Sequence, residues 1–108
     1  MNKENAMIVV RTVFQTKWGK AQPVVDAFIK YGEQARKSFG SDIHARVMTD
    51  LSGPFHTVVQ EIELESLAEW EKLRSQMFSS QDFQQSQSDI TQYLESGYAE
   101  YYTLEKSV

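Results

Sequence analysis

The sequence predicts an α+β fold, four antiparallel strands with helices on one face. Three observations point there. Four short stretches have strand-like apolar patterning, and the segments after the first and third carry apolar residues at helical spacing. Only LSGP, residues 51–54, separates the second stretch from the third, which is enough for a hairpin turn and far too little for a crossover. The first stretch, MIVVRTVF, is dry on both sides of a pleat apart from Arg11. The element order is β-α-β-β-α-β. Right-handed crossovers then arrange the strands 4-1-3-2 in space.

The first strand is expected over residues 7–15, and Gly19 ends its pattern. Pro23 suits a first helical turn, and Val24, Val25, Phe28, Ile29, Gly32, Ala35 and Phe39 recur at helical spacing. Gly40 stands where a C-terminal cap belongs, so this helix is expected over 21–38. DIHARVMTD, residues 42–50, is the second strand and FHTVVQEIEL, 55–64, the third. Ser66 followed by Glu69 is a capping box, and Leu67, Trp70, Leu73 and Met77 give the next helix one apolar face. A further helical piece is expected over 80–96, with Phe83, Ile90 and Leu94 inward and Gly97 closing it. YAEYYTLE, 98–105, is the fourth strand.

The length of 108 residues predicts one domain over 1–108, with residues 1–5 flexible. A net charge of −4 argues against nucleic acid and against an anionic membrane surface. There is no cysteine, which excludes disulfides, thiolate nucleophiles and sulfur-ligated zinc, and suits the cytoplasm. The apolar run in MNKENAMIVV is too brief for a signal core or a membrane span.

Parity along the strands assigns the faces. Ile8, Val10, Thr12 and Phe14 are expected toward the helices, with His56, Val58 and Gln60 on the same side of the third strand. Arg11 then points away from the helices. With Ser52 and Gly53 at the hairpin tip, His44 lies opposite Glu61 and Arg46 opposite Val59. Arg11, His44, Arg46, Glu61 and Glu63 form an expected polar belt on a face that a second copy of the chain covers, since an unpaired buried arginine is costly.

Three stretches, MIVVRTVFQTKWGKAQPVVDAF, ARVMTDLSGPFHTVVQEIELESLAEWEKL and ESGYAEYYTLE, together cover most of the chain. In them the sequence resembles the dimeric α+β barrel superfamily, and within it the small NIPSNAP-like members. The resemblance implies a ferredoxin-like fold, a homodimer joined through the sheet and often a pocket between sheet and helices. Its members include cofactor-free monooxygenases, haem-degrading enzymes, isomerases and dehydratases. The haem-degrading members place an axial histidine in the second helical region, where residues 66–96 have none, and the first strand also lacks an asparagine. Haem, and any other cofactor, is therefore not expected.

For the chemistry itself, His44 and His56 stand at opposite ends of one hairpin and do not converge on a metal. No G-x-S-x-G elbow, G-x-G-x-x-G or phosphate-binding loop occurs. His56 is the candidate acid–base group, with Gln60 beside it. Thr12, Trp18, Gln60, Trp70, Tyr98 and Tyr102 are candidates to line an aromatic pocket, although aromatics also simply fill small cores. Two functions follow as expectations. One is a cofactor-free monooxygenase or isomerase acting on a small flat organic molecule; the alternative is a non-catalytic binding or structural homodimer.

Overall fold

Arg11 does not interrupt its strand. In the computed structural model, which describes residues 7–39, 43–53 and 55–106, β1 runs unbroken over Ile8–Thr16. Then come α1 (Ala21–Phe39), β2 (His44–Thr49), β3 (Thr57–Leu64), α2 (Leu67–Ser79), α3 (Gln81–Thr91) and β4 (Leu94–Thr103). The sheet is antiparallel throughout, in the order β2-β3-β1-β4, the expected order counted from the other edge. The fold is ferredoxin-like. The expected flexible start, the Gly40 cap and Pro54 lie outside the described residues.

Face assignments in β1 follow the pleat. Val10 packs with Ile62, Leu64, Ala35, Ile43 and Leu73 in one buried cluster, under α1 and α2. Phe14 packs against a second cluster of Val24, Phe28, Tyr31, Val58, Phe83 and Ile90. The molecule measures 46 × 34 × 19 Å, and its thinnest dimension holds one sheet and one helical layer. Among the described residues no helix lies over the opposite face of the sheet.

Local chemistry sets the helix boundaries. The Ser66 hydroxyl accepts the Glu69 N–H at 3.1 Å, which starts α2. Ser80 ends α2 through its own N–H, donated to the Met77 carbonyl, and starts α3 by accepting the Phe83 N–H at 3.3 Å. One serine thus divides the second helical region into two helices.

Three expectations are corrected. β3 begins at Thr57, two residues later than the sequence suggests, because His56 has φ 61° and belongs to the turn. The hairpin register is His44 opposite Glu63 and Arg46 opposite Glu61, not His44 with Glu61 and Arg46 with Val59. Asp50 sets it: its N–H donates to the Thr57 carbonyl at 3.3 Å, and its carboxylate accepts the Thr57 N–H at 2.9 Å. Finally, the last helix ends at Thr91, and Leu94 and Gly97 belong to β4. Gly97 pairs with Phe14 across the sheet, and a Cβ there would lie 2.3 Å from the Phe14 ring. The glycine is used for close approach to that ring and not as a helix cap.

Candidate functional site

The two buried clusters are bridged by Met77 of α2, and their buried residues leave out the middle of the sheet. Between the Val10–Ile62 pair and the Phe14–Val58 pair lies the pair Thr12–Gln60, a hydroxyl and a carboxamide on the helix-facing side. Above it is a cavity of about 360 Å³. Phe28 and Tyr31 of α1, Trp70, Arg74, Met77 and Phe78 of α2, and Phe83, Gln87 and Ile90 of α3 form its walls, with Leu94 at the start of β4. That volume lies within the range of about 300–1,000 Å³ typical of small-molecule sites. Among the described residues, neither the Thr12 nor the Gln60 side chain makes a protein hydrogen bond.

Charge in this lining is sparse. Arg74 is its one ionic side chain, with its guanidinium carbon 5.5 Å from the centre of the Phe78 ring. Tyr31 is buried, and its hydroxyl finds no partner at hydrogen-bond geometry among the described residues. Burial raises its pKa; nearby Ser86 acts the other way, and the charge of Asp89 adds to the rise. The phenol keeps its proton at neutral pH.

Sequence-predicted residues divide among three places. Thr12, Gln60 and Trp70 come together in the cavity. Trp18 and His56 do not line it; they stand at the hairpin end of the molecule. There the Trp18 ring meets His56 edge-on at 4.8 Å and Phe55 at 5.8 Å, and His56 Nε2 accepts the Gly19 N–H at 3.3 Å. Gln15 donates to the Phe55 carbonyl nearby. Strand parity puts His56 on the helix-facing side next to Gln60, but its left-handed backbone takes it out of the strand. Tyr98 and Tyr102 lie on the open face, paired with Val13 and Val9, and both are exposed.

On the open face a charged row crosses the sheet. Across all four strands, Arg46, Glu61, Arg11 and Glu100 fall in one row. Their charges alternate. Glu61 accepts from Arg11 at 2.7 Å and from Arg46 at 2.6 and 2.8 Å, and Arg11 approaches Glu100 at 3.5 Å. Burial pushes the Glu61 carboxyl up, but the hydrogen bonds and charges of the two arginines outweigh it, so it titrates below the usual carboxylate range. Hydrogen bonding and charge from Glu61 raise Arg46 in turn. His44 and Glu63 occupy the next row and face each other without an ion pair among the described residues. Glu100 joins the row from β4, where its only mark in the sequence is the parity it shares with Tyr98 and Tyr102. Among the described residues no group of acidic residues and histidines converges as a metal site.

This fold recurs in solved structures. A NIPSNAP family protein from Agrobacterium tumefaciens superposes with a TM-score of 0.79 at 17% identity, over 99% of this chain and 94% of that one. An uncharacterized NIPSNAP-like domain protein from Burkholderia xenovorans gives 0.74 at 18% identity, over 94% and 86%. A putative antibiotic biosynthesis monooxygenase from Deinococcus radiodurans gives 0.68 at 10% identity, over 94% and 95%. No protein-family model matches the sequence, and no curated protein matches it. The chain therefore has the NIPSNAP-like α+β fold, and at these identities the likeness extends to the fold alone.

Proposed function

We propose that the protein binds a small, flat organic molecule in the cavity between sheet and helices, as a cytoplasmic homodimer closed through the open face of its sheet. One observation carries the binding role. Thr12 and Gln60 place unpartnered polar groups at the middle of an otherwise apolar sheet face, beneath a space walled by aromatic rings. A core meant only to be filled would put apolar side chains there. A thermal-shift screen with aromatic acids and quinones tests this. Ligands with a hydroxyl or carbonyl should raise the melting temperature of the native protein more than that of Gln60→Leu. A screen in which no compound shifts the native protein refutes the role.

Support for the dimer comes from the thinness of the layer pair and from the open face itself. Tyr98 and Tyr102 stand exposed beside the charged row, next to half-buried Val9, while Val13 and Val59 are already buried. A twofold axis along the strands would set the row against its own reverse, acid facing base. Such a partner would cover the tyrosines and bury the row. Among the described residues no helix is long and apolar enough to cross a membrane.

A second reading, cofactor-free oxygenation of the same ligand, is favoured by the fold likeness to the Deinococcus protein. In this chain the titratable groups lining the cavity are Tyr31 and Arg74, and His56 stands outside it. The substrate would therefore have to arrive acidic enough to give up its own proton. Oxygen uptake with a bound quinol or phenol distinguishes turnover from binding alone.

A further inference from the structure

Resting on the cavity as a binding site, the geometry points to the charge and direction of its ligand. We infer that it takes a flat aromatic acid, carboxylate at the mouth against Arg74 and a hydroxyl or carbonyl at the floor against Thr12 and Gln60. The chain carries 15 acidic residues to 11 Lys and Arg, yet the cavity lining has no acid and one arginine. The two arginines of the sheet, Arg11 and Arg46, are both tied to Glu61. Arg74 has no carboxylate partner among the described residues. Its guanidinium lies against the Phe78 ring, which holds the planar fork at the edge of the aromatic wall.

A free guanidinium fork takes a carboxylate through two parallel N–H···O bonds and repels a cation. At the other end, a hydroxyl and a carboxamide can each donate and accept, so they match a neutral oxygen. Trp70 and Phe83 also line the cavity, and aromatic rings suit a flat apolar body. A ligand with both polar groups would be held lengthwise, from mouth to floor.

Three compounds test this by calorimetric titration at neutral pH: 6-hydroxy-2-naphthoate, its neutral carboxamide and 2-naphthoate. The hydroxy acid is expected to bind about tenfold tighter than its carboxamide, as a single charge-assisted contact provides. Arg74→Gln should erase that gap by weakening the acid alone. Thr12→Val should weaken the hydroxy acid about three- to tenfold and leave 2-naphthoate unchanged. If acid and carboxamide bind the native protein equally, or if Arg74→Gln leaves the gap, the inference is overturned while the cavity remains a binding site. If Thr12→Val weakens both acids equally, the assigned direction is overturned. Binding by none of the three overturns the binding role as well.

Discussion

Replacing Gly97 by alanine is expected to destabilise the fold by about 1–3 kcal/mol, the usual range for overpacking. The added Cβ would lie 2.3 Å from Cδ1 and 2.5 Å from Cε1 of Phe14, far inside van der Waals contact. The ring can give way only by leaving Phe28 and turning into the cavity, which breaks its packing. On one side it packs on Phe28 at 5.4 Å between centroids, and on the other lies the cavity whose lining it joins. Backbone preference alone would favour alanine over glycine in a strand by about 0.5–1 kcal/mol, so a loss of stability has to come from the collision. A double-mutant cycle isolates it. With Phe14→Leu already present, the ring is gone and Gly97→Ala should be neutral or slightly stabilising. The coupling energy between the two sites should be about 1–4 kcal/mol. Urea unfolding of the four proteins, followed by far-UV circular dichroism, measures each corner. If Gly97→Ala costs the same in both backgrounds, the glycine is not there for the ring.

The charged row and the open face give two more expectations. Glu61→Gln should cost about 1–2 kcal/mol at neutral pH, since it leaves a partly buried guanidinium with a weaker partner. Because the folded-state pKa of Glu61 is depressed, its contribution is complete above about pH 4.5, the ordinary value, and is lost as pH falls through the lower folded value. The stability gap between native and variant proteins should therefore close below that pH, and a gap constant into strong acid would remove the ion pairs as its cause. Tyr98→Glu, at an exposed position, should halve the mass seen by sedimentation equilibrium without changing the circular dichroism spectrum; an unchanged mass would rule out association through this face.

Parity along strands was legible because it survives error. The hairpin register differs from the expected one by two residues, and a two-residue slip keeps every side chain on its own face. The row partners could not be read, because LSGP does not announce that Asp50 will clamp Thr57 and lengthen the loop. His56 was misplaced for a similar reason. The pattern FHTVVQ continues as a strand, and alternation carries no information about a backbone angle of 61°. Gly97 follows a helical run as a cap would, while its close contact, Phe14, is remote in sequence. The cavity was half legible: Thr12 and Gln60 break an apolar face visibly, but Arg74 looks like any other charge on the outer side of a helix.

The two faces of the sheet treat their central polar rows in opposite ways, and the contrast bears on function. On the open face, Glu61 is held by two arginines within the chain. On the helix-facing side, the adjacent Thr12 and Gln60 side chains have no hydrogen-bond partner among the described residues. Sealing helices over two unpaired polar groups would cost about 1–3 kcal/mol for each, so the helices stand off and leave the row accessible. A row kept in that condition should trade stability for binding. Thr12→Val together with Gln60→Leu should therefore raise the unfolding free energy by about 0.5–2 kcal/mol, since apolar groups can pack where polar ones had to stay solvated. The same protein should lose affinity for the hydroxy acid. Chemical denaturation and calorimetry on one preparation give both numbers. A double variant less stable than the native chain would mean that the two residues serve the core, and that the space above them is incidental.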